Sequence, residues 1–104
     1  MAREMPPRLE IECLKALWSL GEGTVHDVVA ALGERKLKYT TVMTLLDRLE
    51  GRGAVVRKKR GRSFVYTPKV SRETLQGIAV DELINRFFEG SEGSLEEFLK
   101  MRRL

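Results

Sequence analysis

The stretch AVVRKKRGRSFVYTP, residues 54–68, constrains the fold more than any other part of this sequence. It alternates loosely and is rich in β-formers on both sides of Arg60-Gly61, the pattern of a two-stranded hairpin. Gly61 supplies the positive φ that the turn needs. Pro68, which has no N–H to give to a ladder, ends the second strand. Three helical segments precede this ribbon. PPRLEIECLKALWSLGEG reads as an amphipathic helix with Leu14, Leu17 and Trp18 on its buried stripe and Gly21 and Gly23 at its end. TVHDVVAALG is a second, short helix, with Thr24 as N-cap, Asp27 at the capping-box position and Gly33 as its stop. After the loop GERKLK comes KYTTVMTLLDRLE, residues 38–50, which ends at Gly51 or Gly53. Its Val42, Leu45, Leu46 and Leu49 recur at i, i+3, i+4 and i+7, one apolar helical stripe.

Helix, helix, helix and ribbon, in that order, is the plan of a winged helix-turn-helix: mainly α with a small β-hairpin wing. In such a fold two helices form a platform, the third lies in the major groove of DNA, and the hairpin is the wing. The side of the third helix opposite its apolar stripe carries Thr40, Thr44, Asp47 and Arg48, with Thr41 and Met43 on its flanks. Solvent-facing helix positions favour Glu, Lys, Gln or Ala, because β-branched Thr loses rotamer freedom there. Three threonines in the first two turns are a poor choice for stability and a good one for reading DNA. Their hydroxyls can bond a base or a phosphate, and Thr and Met methyl groups can pack on a thymine methyl. Arg48 points to the same side and can reach a phosphate. Asp47 would repel phosphates and is expected at the end that leaves the groove. A purely structural reading of the threonines is an N-cap role for Thr40 or Thr41, or a bond from Thr44 to its own turn.

Charge placement supports the nucleic-acid reading. Residues 1–70 hold fourteen Lys/Arg against eight Asp/Glu. From Gly51 to Arg72 there are eight basic residues and no acid: Arg52, Arg57, Lys58, Lys59, Arg60, Arg62, Lys69 and Arg72. The hairpin tip RKKRGR, with Lys58, Lys59, Arg60 and Arg62, is thus expected on the adjacent backbone or minor groove. From Glu73 to Glu97 the sign reverses, with seven acids and one basic residue, Arg86.

That reversal coincides with a domain boundary, residues 1–70 being the DNA-binding part and 71–104 a helical arm. Ser71 is expected to cap SRETLQGIAVDELINRFFEG. There Leu75, Ile78, Ala79, Leu83, Phe87 and Phe88 form a stripe that Val80 and Ile84 widen. SLEEFLKMRRL follows, with Ser94 and Glu97 as a capping box and Leu95, Phe98 and Leu99 as its apolar positions. A winged-helix platform closes its own core, so this surface is expected to meet its copy across a two-fold axis: the arm makes a homodimer.

Other classes fit poorly. The longest apolar runs are too short to span a bilayer, and MAREMPPRLE lacks the apolar core of a signal peptide, so no membrane partner and a cytoplasmic location are expected. Cys13 stands alone and is expected to be a small buried hydrophobe. His26 lacks a companion at metal-ligand spacing and reads as a surface residue or at most a phosphate contact. No phosphate loop or nucleophile motif is present, so the chain is not read as an enzyme and neither a metal nor another cofactor is expected. The rival reading is a winged helix used for RNA or protein contacts without operator specificity. An aromatic content of 7% argues against RNA, and eight basic residues around the wing argue against purely protein contacts.

The segment LEIECLKALWSLGEGTVHDVVAAL, followed by LKYTTVMTLLDRLEGRGAVVRKKRGRSFVYTPKVSRE, resembles the BlaI/MecI family of penicillinase repressors, over roughly residues 8–95. Its marks are Trp18 closing helix 1, TVHDVVAAL as helix 2, YTTVMTLLDRLEGRG as recognition helix and exit, and GRSFVYTPKVSRE joining the wing to the next helix. The resemblance implies a homodimeric transcriptional repressor on a palindromic DNA operator. It places DNA contacts on Tyr39, Thr40, Thr41, Met43 and Thr44 and on Lys59, Arg60 and Arg62 of the wing. Copper-responsive relatives end in a cysteine-rich tail; with one cysteine, near its start, this chain is not expected to share that switch. Antibiotic-responsive relatives are inactivated by proteolysis in a longer C-terminal region, and a sensor or protease partner is left open here. Where relatives often cap helix 3 with a small hydroxyl residue, this sequence has Lys38.

Overall fold

A computed structural model describes residues 5–103. The elements run α1 (Arg8–Leu20), α2 (Val25–Ala31), a single 3-10 turn (Gly33–Arg35), α3 (Tyr39–Gly51), β1 (Val55–Arg60), β2 (Ser63–Pro68), α4 (Arg72–Phe87) and α5 (Glu92–Arg102). They form two compact units that divide between Arg72 and Glu73.

In the first unit, α1 follows Pro7, whose fixed φ suits a helix entrance. Its inner stripe is Glu10, Cys13, Leu14 and Leu17, each at most 1% exposed. Burial pushes the Cys13 thiol up to about 11, and the nearby Glu10 and Glu12 carboxylates add to the shift. Trp18 is half-buried rather than part of the closed stripe. Its indole N–H reaches out to the Val70 carbonyl at 2.9 Å, which holds the chain leaving β2 against α1, and the Arg72 guanidinium lies 4.8 Å from the centre of its ring.

The capping box of α2 forms as its residues demand. The Asp27 N–H donates to the Thr24 hydroxyl oxygen at 3.1 Å and the Thr24 N–H to the Asp27 carboxylate at 2.9 Å. The helix ends at Ala31, before Gly33, which opens the 3-10 turn instead. Lys38 occupies the N-cap of α3 in an extended conformation and makes no side-chain cap bond. Val42, Leu45, Leu46 and Leu49 all face inward and are buried, each contributing about 1.5–3 kcal/mol toward holding α3 on the platform.

The hairpin is antiparallel, from Val55 opposite Pro68 to Arg60 opposite Ser63. Gly61 turns it with φ +60°. Gly23 adds a third, one-residue strand: its N–H donates to the Tyr66 carbonyl at 3.0 Å and its carbonyl accepts from the Tyr66 N–H at 2.8 Å. A Cβ at Gly23 would stand 3.1 Å from that of Asp27 and 3.3 Å from the Leu20 side chain, so its neighbours would have to give by a few tenths of an ångström. Tyr66, locked by this bridge, is the largest fully buried side chain among the described residues.

In the second unit α4 ends at Phe87, so Phe88 lies beyond the helical stripe, followed by Glu89 and Gly90 in left-handed conformations. The start of α5 differs from the expected Ser94–Glu97 box. Ser91 is the N-cap, and its hydroxyl accepts the Ser94 N–H at 3.1 Å. Ser91 has the extended backbone that an N-cap needs, whereas Ser94 is already inside the helix. The apolar residues assigned to a partner face also divide. Leu75, Ile84 and Leu95 are buried, Ile78 and Phe88 half-buried, and Ala79, Leu83, Phe87, Phe98 and Leu99 exposed. The rings of Phe88 and Phe98 lie 5.6 Å apart. Phe87 is 70% exposed, Val80 45% and Met101 71%. No described helix is long and apolar enough to cross a membrane.

Candidate nucleic-acid interface

Because the inner stripe of α3 is sunk in the platform, its other residues face solvent. Tyr39, Thr40, Thr41, Met43, Thr44 and Arg48 are all exposed. Thr44 does make the bond to its own turn: its hydroxyl donates to the Thr40 carbonyl at 3.0 Å. The Tyr39 ring packs on His26, centroid to centroid 4.6 Å, which joins the first turns of α2 and α3.

Asp47 has a role that its helical position does not reveal. Its carboxylate accepts from the Arg57 guanidinium at 3.3 Å and from the buried Tyr66 hydroxyl at 3.4 Å. Burial pushes the Tyr66 phenol up, so it stays a donor. Arg57 is also held by the Phe64 ring, 4.3 Å from ring centre to guanidinium. Helix α3 is therefore tied to the hairpin, and the carboxylate expected to repel phosphates is balanced by a cation.

The basic run divides in the same way. Arg52 pairs with Glu10 at 2.8 Å, Arg57 with Asp47 at 3.3 Å and Arg60 with Glu22 at 2.7 Å. Arg60, read as a wing-tip contact, thus holds a carboxylate from the α1–α2 connection with both terminal guanidinium nitrogens, the second at 3.3 Å. Lys58, Lys59 and Arg62 are exposed and form no ion pair among the described residues. A cleft of about 160 Å³ runs between α3 and the wing, lined among others by His26, Tyr39, Met43, Arg62 and Phe64. Phe64, 40% exposed at the wing, was missed by sequence reasoning, because an aromatic in a strand reads as core. Glu22 was missed because nothing local distinguishes it from a solvated loop acid. The described residues include no group of His, Cys, Asp and Glu that could hold a metal ion.

The penicillinase repressor family matches residues 7–104, almost the whole chain. The chain belongs to this family. It is 38% identical over 96 residues to the transcriptional regulator BlaI of Mycobacterium tuberculosis, covering 88% of this chain and 70% of that protein. It is 30% identical over 87 residues to the penicillinase repressor of Bacillus licheniformis, covering 83% of this chain and 68% of that protein. Among solved structures it is similar to Bacillus licheniformis BlaI in monomeric form in complex with the blaP half-operator. That match has a TM-score of 0.56 and 29% identity, and covers 70% of this chain and 93% of that one. Together with the element order, this makes the first unit of this penicillinase repressor family chain a winged helix, with α3 in the place of the recognition helix and the β1–β2 hairpin as the wing.

Proposed function

We propose that the chain represses transcription by occupying a palindromic DNA operator as a homodimer, in the cytoplasm. One observation carries the reading. The exposed Tyr39, Thr40, Thr41, Met43, Thr44 and Arg48 stand beside a wing whose Lys58, Lys59 and Arg62 are unpaired among the described residues, while Asp47, at the centre of that face, is paired with Arg57. The α3 residues contact base edges and the wing cations contact phosphates. Such a division gives specificity to the helix and a salt-dependent share of the affinity to the wing. The half-operator bound by the Bacillus licheniformis relative supports DNA as the ligand.

The exposed Leu83, Phe87, Phe98 and Leu99 supply the dimer contact. Joining two winged helices makes the second docking intramolecular and raises the apparent affinity about 100-fold or more. Half-sites must then recur at a spacing set by the two-fold axis.

The test is selection of duplexes from random DNA by the purified protein, followed by footprinting on the winner. A two-fold symmetric footprint, outcompeted by the same sequence and not by RNA of that sequence, is the expected result. Equal binding to every duplex, or preference for RNA, refutes the proposal in favour of a module without operator specificity.

A further inference from the structure

We infer that Thr44 reads a thymine, and that it does so through its γ-methyl group rather than its hydroxyl. This rests on the reading of α3 as the base-contacting helix and adds which chemistry one position recognises. A threonine hydroxyl has one hydrogen to donate. That of Thr44 goes to the Thr40 carbonyl at 3.0 Å. The acceptors in the major groove, guanine N7 and O6, adenine N7 and thymine O4, all need a donor. Thr44 has none to offer, and the lone pair left on its oxygen can only accept, from an adenine N6 or cytosine N4 amino group, an arrangement that Thr44→Val abolishes.

The same bond draws the oxygen against its own helix and selects one χ1 well, since a helical Thr divides its population between wells according to whether its hydroxyl makes this back-bond. The methyl then holds one fixed position on an exposed face, flanked by the exposed Met43. An apolar group already fixed in place loses little freedom when it meets a partner, and the apolar feature of the major groove is the C5-methyl of thymine. Thr40 and Thr41 differ, because neither hydroxyl has a hydrogen bond among the described residues. They remain the polar readers of the face.

The experiment uses the full chain and the duplex it selects from random DNA. Each thymine of that duplex is replaced in turn by deoxyuridine, which removes the methyl and nothing else. Wild type should lose about fourfold in affinity at one thymine of each half-site, the loss expected for one buried methyl. Thr44→Val keeps the methyl and removes the hydroxyl, so it should bind within about twofold of wild type and feel the same deoxyuridine. Thr44→Ser keeps the hydroxyl and removes the methyl, so it should bind the thymine duplex about as wild type binds the deoxyuridine duplex, and be blind to the exchange.

Loss of binding by Thr44→Val with retention by Thr44→Ser overturns the inference and leaves the recognition helix in its proposed role, with the hydroxyl as reader. Binding unchanged by Thr44→Ala, Thr44→Val and Thr44→Ser alike overturns the inference, whereas the reading of α3 falls only if Thr40→Ala and Thr41→Ala also leave affinity for the selected duplex unchanged. Thr44 is exposed, so none of these variants disturbs the core.

Discussion

Removing Arg52 should leave a buried carboxylate without its partner. Glu10 is 1% exposed and sits on the inner stripe of α1, 2.8 Å from the Arg52 guanidinium just past the end of α3. Truncating one partner of a fully buried ion pair costs about 3–5 kcal/mol, because the other charge is stranded away from water, whereas exposed pairs contribute about 0–1 kcal/mol. The Arg52 side chain is 37% exposed, so water can enter the space it vacates. Arg52→Ala is therefore expected in between, at about 2 kcal/mol. In a domain of this size that lowers the melting temperature by about 8–16 °C. The double variant Glu10→Met/Arg52→Ala removes both charges and keeps an apolar side chain of similar length on the stripe. It should recover most of the loss, since replacing a buried pair by apolar groups is often neutral. Urea and thermal unfolding of the four proteins of the cycle, followed by circular dichroism at pH 7, measure this directly. An Arg52→Ala loss under about 0.5 kcal/mol, or a double variant less stable than Arg52→Ala, would show that Glu10 does not depend on the pair.

The wing, the arm and the buried thiol each carry a further expected outcome. On the wing, Arg62→Ala should lower the slope of log affinity against log salt by about 0.9, the share of one phosphate contact, whereas Arg60→Ala should lower it less because Glu22 already holds that guanidinium; adding Glu22→Gln to the comparison should bring the two arginines level, and equal slopes without it would rule out the competition. At the arm, Phe87→Asp should convert the dimer to monomer in sedimentation at micromolar concentration, with far-UV circular dichroism retained, because Phe87 is 70% exposed and supports no core; a wild-type monomer or a dimeric variant refutes the arm's role. In alkali, the folded Cys13 thiol, raised to about 11 from 9.0, holds its proton where the unfolded one loses it, so its contribution to stability is complete below pH 9 and falls as pH rises toward 11. By urea unfolding at pH 10.5 against pH 8, wild type should lose about 2 kcal/mol more than Cys13→Ala, and parallel losses would contradict the burial of this thiol.

Features that depend on neighbours in the chain were legible in the sequence. The stripe Val42, Leu45, Leu46 and Leu49 is a matter of helical period, and all four are buried. Thr24 and Asp27 close their box across three residues, and Gly61 turns the hairpin because it alone at that point tolerates φ +60°. Exposure of the threonine face follows from the burial of its opposite. The tertiary structure decided which charges are available. Glu10 and Arg52 lie 42 positions apart, Glu22 and Arg60 lie 38 apart, and Asp47 meets an arginine and a tyrosine of the hairpin. A carboxylate in a helix reads the same whether it faces water, a phosphate or a cation from another element, since hydrophobic period reports the face of a residue and not its partner. Eight cations without an intervening acid therefore read as one basic patch, although three of them are occupied by acids that only packing brings within reach: α1 against the end of α3 for Arg52, α3 against the wing for Arg57, and the α1–α2 connection against the wing for Arg60.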